Sequence, residues 1–374
     1  MEENLEQKEP ENIETKIEEK TSKKEKTKKS SKVKTFFKIL AIIILIILLL
    51  AIGVGIGGYI YLQNMLGKVN HVDIDKNSIE INEGVKEELE EHGYRTIALF
   101  GVDSRSNKLE SGTRSDCIIL AVIDKETKKV SLVSVYRDSY LQIQGRSIDK
   151  VTHAYAYGGA QLSMSTLNTN LDLDITEFAT VNFNSLSDIV DSIGGISMEI
   201  TSEEVKYING YIDETSKVSG KTSEHITEAG TYTLDGVQAV SYSRIRYTAG
   251  GGYKRAERMR TVLSAIITKA KGLSIGELNN LANKLLPEIY TNIDTNEIIS
   301  MLPQLTTYSV SESKGWPYEV KGATISKVWY GVPVTLEENV KKLHQDIYSK
   351  QTDYKVSNKV KEISNQIIKK TGYK

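Results

Sequence analysis

Arginine is confined to one part of this 374-residue chain, and that confinement is the first sign of chemistry. The sequence holds 10 Arg against 38 Lys, and every Arg lies between Arg95 and Arg260. Half of them fall in one stretch, YSRIRYTAGGGYKRAERMR, at 242–260. Arginine differs from lysine in presenting a rigid planar fork that grips phosphate or carboxylate oxygens through two hydrogen bonds. The distribution therefore predicts a polyanionic ligand.

Three predicted strands carry aspartate and arginine together where they begin or end. Asp103 follows the first strand, Arg114 and Asp116 precede the second, and Arg137 and Asp138 end the third. In open α/β sheets, ligands bind at strand ends where neighbouring loops diverge. Carboxylates of this kind suit a phosphate held together with Mg²⁺ or Mn²⁺, because such cations take one or two carboxylates plus phosphate oxygens. Pairing of Asp with Arg inside these loops is the alternative.

A second anion site is predicted at the start of a helix. The clearest helical pattern covers 254–271, and it places Arg255 on the core-facing side, one turn before Met259. A helix start offers free backbone N–H groups and the positive end of the helix dipole. The glycine loop TAGGGYK before it lets backbone approach a ligand closely. For Arg258 and Arg260, ligand binding and pairing with surface carboxylates remain alternatives.

The composition argues against several other kinds of protein. The formal net charge of −1 gives no general reason to expect a nucleic-acid partner. The sequence contains neither an HExxH motif nor paired CxxC motifs, so a zinc site is not expected. The single cysteine, Cys117, excludes an intrachain disulfide and lies in the apolar run CIILAVI, where we interpret it as a core residue.

The N-terminal region predicts a membrane anchor. Residues 1–35 are rich in Lys and Glu and are predicted to be a disordered cytoplasmic tail. Residues 36–62 contain an uncharged apolar run long enough to cross a bilayer as one helix, which is too long for a cleaved signal peptide. Lysines before this run and an acidic segment after it place the N-terminus in the cytoplasm. Residues 63–94 are then an extracytoplasmic stalk, and the arginines face the outer side of the cell membrane, away from nucleic acid.

The remainder of the chain predicts an α/β fold. Apolar runs at 95–103, 117–124 and 129–138 predict strands, the last two joined by the polar turn KETK. Strand and helix patterns alternate after them, which predicts a three-layer α/β/α sandwich with a mixed central sheet, preceded by one N-terminal transmembrane helix. The arginine-bearing domain is predicted to span 95–350, and residues 351–374 are predicted to form a C-terminal tail.

Several motifs occur together in the arginine-bearing domain. They are GVDSRS, GTRSDCIILAVIDKETKKVSLVSVYRDSYLQI, DKVTHAYAYGG, DSIGGISMEI, and YTLDGVQAVSYSRIRY followed by KRAER. In this order, and behind a single predicted membrane helix, they resemble the LytR–CpsA–Psr family. The resemblance is close over about residues 95–272 and looser to about residue 345.

The resemblance implies a membrane-anchored phosphotransferase that moves a glycopolymer, teichoic acid or a capsule-like polymer, from undecaprenyl pyrophosphate to peptidoglycan. It implies that Asp103 and Asp116 hold Mg²⁺ on the pyrophosphate, and that an apolar cleft takes the polyprenyl chain. The arginines implied to bind the substrate are Arg114, Arg137, Arg244, Arg246, Arg255 and Arg258. The predicted catalytic set is Asp103, Arg137, Asp138, Arg244 and Arg246.

In the predicted reaction, a peptidoglycan sugar hydroxyl attacks the sugar-proximal phosphorus and undecaprenyl phosphate leaves. Such transfer depends mostly on positioning and charge neutralisation. Either Asp138 or Asp103 is a candidate for deprotonating the acceptor, and the sequence does not choose between them.

The sequence departs from the family pattern at three positions. Gly252 stands where the family usually has Asp, Met259 where it often has Gln, and Tyr136 where it has Pro. These departures keep two alternatives open: a polyprenyl-pyrophosphate phosphatase with water as acceptor, and a non-catalytic protein that binds the lipid carrier. A regulator acting through the cytoplasmic tail ranks below both, because the tail lacks a DNA-binding helix pattern.

Overall fold

The computed structural model describes residues 64, 67, 70–102, 109–181, 185–274, 277, 289–294, 297 and 307–374. The predicted cytoplasmic tail, 1–35, and the predicted transmembrane helix, 36–62, lie outside the described residues. In the part that is described, no helix is both long and apolar enough to cross a bilayer.

The strands of the described residues run in chain order from the stalk to the C-terminal region. They are β1 Asn70–His71, β2 Tyr94–Val102, β3 Ser115–Asp124, β4 Lys129–Val135, β5 Tyr140–Gln142, β6 Ile148–Lys150, β7 Glu177–Val181, β8 Ile196–Ile200, β9 Gly230–Leu234, β10 Tyr290–Thr291, β11 Ser309–Trp316, β12 Val320–Ile325 and β13 Val328–Pro333.

The α-helices alternate with these strands over most of the chain. They are α1 Val85–Glu91, α2 Thr152–Leu171, α3 Ser185–Ser192, α4 Ser202–Ser219, α5 Gly236–Arg244, α6 Gly251–Ala270, α7 Leu336–Ile347 and α8 Asn358–Thr371. A 3₁₀ helix covers Lys76–Ser78.

The central sheet is mixed, as predicted. Among the described residues its strand order is β1-β10-β7-β2-β3-β4-β11. β2, β3 and β4 are successively antiparallel, whereas β7 runs parallel to β2 and β11 runs parallel to β4. Every residue of β3 is buried, which is why its sequence is a continuous apolar run rather than an alternating one. The prediction of a mixed α/β fold is therefore confirmed.

Helices contact both faces of this sheet. On one face, the ring of Phe100 in β2 meets Tyr155 of α2, with ring centroids 5.3 Å apart. On the other face, Cys117 in β3 lies close enough to α6 for the charge of Arg260 to act on its thiol. Since Phe100 pairs with Ile118 across the β2–β3 ladder, and successive strand residues point to opposite faces, α2 and α6 lie on opposite sides.

The segments predicted to lie outside the domain pack onto it where they are described. Residues 63–94 were predicted to be a mostly solvated stalk, but Ile79 and Leu89 are buried in the core and β1 pairs with β10. Residues 351–374 were predicted to be a tail, but α8 buries Ile363 and Ile367 in the same core. In α8 the apolar residues recur at helical spacing among lysines. The many charged residues led to the prediction of a tail, although one side of the helix packs on the core.

Candidate active site

The antiparallel pairing of β3 and β4 brings together charged residues that lie about 20 positions apart in the sequence. The start of β3 lies beside the end of β4, because Ile119 pairs with Ser134. Asp116 Oδ2 and Arg137 Nη1 form an ion pair at 2.5 Å, and both side chains are largely buried. The sequence-predicted residues of these two strand ends are therefore neighbours.

The ion pair continues into a second carboxylate. Arg137 Nε donates to Asp138 Oδ2 at 3.4 Å, and Lys150 Nζ from β6 donates to Asp138 Oδ1 at 2.6 Å. Lys150 belongs to the DKVTHAYAYGG motif, but no role was predicted for it. Its position directly before a helix start was the available signal, and only the fold showed that it reaches Asp138.

Burial and neighbouring charges have opposite effects on the pKa values of Asp116 and Arg137. Burial raises the pKa of Asp116 above its ordinary value, although the positive charges of Arg137, Arg246 and Arg114 oppose the rise. Burial alone would lower the pKa of Arg137, but the carboxylates of Asp116 and Asp138 raise it. Asp116 is thus a buried carboxylate near several guanidinium groups, and three of the predicted arginines lower its pKa together.

Arg246 contributes further positive charge to this end of the sheet. Burial lowers the pKa of Arg246, and the nearby charge of Arg137 lowers it further. Its Nε atom is buried without a hydrogen-bond partner among the described residues. Two guanidinium groups held close together in a low-dielectric site favour an added anion.

A cavity of about 340 Å³ opens from this charged cluster. Asp116, Arg137 and Asp138 line its polar end. The remaining walls are mostly apolar and aromatic, and the residues that form them include Cys117, Ile118, Val135, Tyr136, Tyr253, Ala256, Met259, Val320 and Trp329. A charged end joined to an apolar chamber suits an amphiphilic ligand.

The walls come from elements far apart in the sequence. Tyr136 and Tyr253 meet edge to face with ring centroids 4.6 Å apart, which joins the end of β4 to the start of α6. Trp329 of β13 lies at the rim and is 47% exposed. Trp329 and Val320 were not predicted to be site residues, because the β12–β13 hairpin bears no polar motif.

The glycine loop before α6 lies at the wall of the cavity. Gly250 has φ +89° and Gly251 has φ +50°, backbone conformations that favour glycine, and α6 starts at Gly251. Gly250, Gly251 and Gly252 all line the cavity, and so does the buried Arg255 one turn later. The start of α6 therefore brings three glycines and an arginine to the cavity wall.

Arg244 and Arg258 are placed differently from the strand-end arginines. Arg258 donates to Glu204 Oε1 at 2.7 Å, to Thr248 Oγ1 at 2.7 Å and to the Ile245 carbonyl at 3.1 Å. Neither arginine lines the cavity of the described site. These contacts tie α6 to α4 and to the end of α5, which is a structural use of the guanidinium fork.

Arg244 has comparable partners within the helical layer. Its Nη2 donates to Glu214 and its Nη1 to Thr215, both at 2.6 Å, and its guanidinium lies 5.1 Å from the ring centroid of Tyr211. The predicted substrate contacts of Arg244 and Arg258 stay predictions, and the contacts seen here lie between protein groups.

One predicted site residue and two other residues singled out in the sequence remain. Asp103 lies outside the described residues. Cys117 is a buried core residue whose pKa is raised by burial to about 12, and Met259 is buried in the cavity wall. Within the described ranges, no three His, Cys, Asp or Glu side chains come close enough to form a metal site without a ligand.

Comparison with known proteins adds to this geometry. Residues 59–346 match the model of the LytR_cpsA_psr family. The chain is 29% identical over 300 residues to the polyisoprenyl-teichoic acid–peptidoglycan teichoic acid transferase TagT of Bacillus subtilis (strain 168), covering 78% of this chain and 89% of that protein. It is 34% identical over 204 residues to the transferase TagU of Enterococcus faecalis (strain ATCC 700802 / V583), covering 54% of this chain and 61% of that protein.

A solved structure has the same fold. The structure of TagT bound to LIIa-WTA superposes with a TM-score of 0.55 at 26% sequence identity, covering 74% of this chain and 99% of that one. These similarities confirm the family resemblance drawn from the motifs and the predicted enzyme class, a glycopolymer transferase.

Proposed function

The chain belongs to the LytR_cpsA_psr family, and we propose that it transfers a glycopolymer of the teichoic acid type from a polyprenyl pyrophosphate to peptidoglycan. The observation that carries this proposal is the buried Asp116–Arg137 pair at the end of a largely apolar cavity. The arginine end has the chemistry to hold a pyrophosphate, and the apolar end has the chemistry to hold an isoprenoid chain. The names of the similar transferases and the ligand of the TagT structure support the same pair of substrates.

In the proposed reaction, an acceptor sugar hydroxyl forms a bond to the sugar-proximal phosphorus. The bond from that phosphorus to the bridging oxygen breaks, and polyprenyl phosphate leaves with the electron pair. Arg137 and Arg246 neutralise the phosphate oxygens where negative charge is greatest, and Arg255 with the start of α6 holds the second phosphate. Because these groups are fixed by burial before the ligand arrives, they need little rearrangement during the reaction.

The residues fit a divalent cation as an additional part of this site. Asp116 is a buried carboxylate whose pKa is raised by burial, so that a nearby cation would stabilise its ionised form. Mg²⁺ needs only one or two carboxylates when phosphate oxygens complete its coordination. Asp116 and Asp103 would hold the ion, which would neutralise charge on the pyrophosphate.

The proposed setting is the outer face of the cell membrane. The lysine-rich N-terminus before an apolar segment supports a single-pass anchor with the C-terminal domain extracytoplasmic. Both proposed substrates, a membrane-bound lipid carrier and the peptidoglycan, would be within reach of a domain held close to that face.

A transfer assay tests this function. Full-length protein in detergent would be mixed with a labelled glycan on polyprenyl pyrophosphate, peptidoglycan oligomers and Mg²⁺. We expect label to appear on peptidoglycan, to disappear with EDTA, and to fall by about 10²-fold or more in Arg137→Ala.

The other outcomes separate the alternatives. Release of free glycan phosphate in place of transfer would establish a phosphatase. Lipid binding without turnover, repeated with a second glycan, would establish a carrier-binding protein and contradict the transferase proposal.

A further inference from the structure

A polar and aromatic cluster lies beside the strand-end site and takes no part in the roles described so far. His153 Nδ1 donates to Asp149 Oδ2 at 2.8 Å, and the Tyr157 hydroxyl donates to the same oxygen at 3.3 Å. The other oxygen, Oδ1, accepts a hydrogen bond from the Tyr330 hydroxyl at 3.3 Å. The carboxylate of Asp149 is thus held between the first turns of α2 and the β12–β13 hairpin.

The hydrogen bond to Asp149 decides which nitrogen of His153 carries the proton. Burial alone would raise the pKa of Asp149, but the hydrogen bond from His153 lowers it, so this carboxylate is ionised and can only accept. Nδ1 is therefore the donor, which leaves Nε2 as the ring nitrogen that can accept a proton. In the described part of the chain Nε2 makes no hydrogen bond, and 18% of the His153 side chain is exposed.

His153 is close in the fold to the proposed pyrophosphate site. The preceding residue, Thr152, donates through its backbone N–H to the carbonyl of Arg137 at 3.2 Å. The Thr152 hydroxyl donates to the carbonyl of Ser115 at 2.8 Å. Thr152 therefore contacts both strand ends that carry the Asp116–Arg137 pair, and His153 is the next residue in the chain.

Asp138, the other described candidate for a base, is poorly suited to accept a proton. Its Oδ1 accepts from Lys150 and its Oδ2 from Arg137. Burial alone would raise the pKa of Asp138, but the charge of Arg137 and the hydrogen bond from Lys150 lower it. A carboxylate held by two cations is a weak base, whereas a neutral imidazole held by a carboxylate is a good one.

The surface around His153 suits a saccharide. Tyr157 lies one helical turn after His153 on the same side of α2, and its side chain is 45% exposed. The guanidinium carbon of Arg146 lies 4.1 Å from the centroid of the Tyr157 ring. An aromatic ring bordered by hydrogen-bonding groups matches a sugar, which has an apolar C–H face and a rim of hydroxyls.

We propose that this cluster is the acceptor side of the active site, where a hydroxyl-rich saccharide binds and His153 Nε2 is the general base. The proposal rests on the transferase function proposed above. The acceptor oxygen bonds to the sugar-proximal phosphorus while its proton passes to Nε2, and the lipid phosphate leaves with the electron pair. Asp149 is a positioning residue that holds the imidazole and stabilises the imidazolium as it forms.

Chemical rescue of a variant tests this assignment in full-length protein with the labelled glycan lipid and peptidoglycan oligomers. We expect His153→Ala to lower kcat for transfer by about 10²-fold or more, with unchanged affinity for the lipid donor. Added imidazole should restore part of the rate, since it can occupy the space and accept the proton. His225→Ala is the matched control, because His225, in the exposed connection between α4 and β9, also bonds to an aspartate, Asp213 at 2.7 Å.

Two further variants distinguish residues that support the general base from residues that bind the acceptor saccharide. Asp149→Asn should lower kcat and retain donor affinity, because the imidazole loses its orienting carboxylate. Tyr157→Ala should raise KM for the peptidoglycan oligomer and leave kcat within a few-fold.

The outcomes distinguish this inference from the function on which it rests. Equal transfer by wild type and His153→Ala, or a loss that imidazole does not restore in a folded, lipid-binding variant, overturns the base assignment alone. Wild-type protein that binds the lipid but transfers nothing to peptidoglycan contradicts the transferase function and the acceptor role together.

Discussion

The two ends of β3 each carry an aspartate, and the two side chains have opposite environments. Asp116 at the start is buried, and burial raises its pKa. Asp124 at the end is also buried, yet its pKa is lowered to about 2. Both belong to the same strand and both have a basic partner, but Asp116 lies deeper in the protein, so burial raises its pKa more strongly.

The number of hydrogen bonds that the protein supplies adds to this difference in pKa. Burial alone would raise the pKa of Asp124, but Oδ1 accepts from Lys350 and from the backbone N–H groups of Glu126 and Thr127. The side chain caps the turn between β3 and β4, and its hydrogen-bonding capacity is met by the fold. Asp124 is therefore a structural carboxylate.

Asp116 has a guanidinium partner and no comparable set of backbone donors in the described structure. Its single ion pair with Arg137 faces a cavity instead of a turn. A buried carboxylate that the protein compensates incompletely has affinity left for a ligand cation or a donor group. The contrast separates a carboxylate whose hydrogen bonds the fold completes from one that lies open to a cavity.

The largest expected effect is on catalysis at the Asp116 end. Asp116→Asn should lower transfer by about 10²-fold or more, because it removes the charge that we propose holds the cation on the pyrophosphate. Asp124→Asn is the matched control at the other end of the strand and should keep transfer within about twofold. Initial rates of labelled transfer at saturating Mg²⁺ measure both. A fall of equal size in the two variants would contradict the contrast between the ends.

The fork of Arg137 should matter more than its charge alone. Arg137→Lys keeps a cation beside Asp116 but loses bidentate grip, and we expect transfer to fall by about 10²-fold. Arg258→Lys is the control, because Arg258 is also buried beside a carboxylate, Glu204, but does not line the cavity. That variant should lose stability in urea unfolding and keep most transfer per folded molecule. If Arg258→Lys abolishes transfer in a folded protein, the predicted substrate-binding role of Arg258 is correct and its structural reading is wrong.

The Asp124 end should show a stability effect that depends on pH. The folded pKa of Asp124 is about 2, below the ordinary value of an aspartate, so its stabilisation is present above about pH 4. That stabilisation is lost as the pH falls through about 2. Asp124→Asn should therefore cost about 1–2 kcal/mol at pH 6, and the difference from wild type should shrink towards pH 2. Urea unfolding at several pH values measures it, and a difference that stays constant over this range would refute the assignment.

The smallest expected effect concerns a third carboxylate added beside the cavity. A Cβ at Gly252 meets nothing within 4 Å, so Gly252→Asp fits without displacing neighbours. The new carboxylate lies in the first turn of α6 and should raise stability by about 0.5–1 kcal/mol. Gly252→Asn, with the same shape and no charge, should give less of this gain. Thermal unfolding of both variants measures this gain. If Gly252→Asp is less stable than wild type while Gly252→Asn is not, the start of α6 does not favour a negative charge and the prediction is wrong.

Much of the sheet could be predicted because its signals are local. The apolar runs that became β2, β3 and β4 and the polar turn between the last two are visible in the sequence. In contrast, β11 joins the sheet beside β4 although its sequence, SVSESKGW, is mostly polar. Its place at the sheet edge, with a face towards solvent, removes the apolar pattern on which such predictions depend.

The amino-acid sequence determined which residues can grip an anion and that they gather in one domain behind an apolar segment. It also placed Asp116, Arg137 and Asp138 at strand ends, because short antiparallel connections fix which ends meet.

Only the tertiary structure decided which arginines lie at the cavity and which bind other parts of the protein. Arg258 meets Glu204 across 54 residues of sequence, and Asp149 meets Tyr330 across 181. Such partners are brought together by the packing of whole helices and strands. The sequence around a charged residue therefore does not show which distant residue will lie beside it.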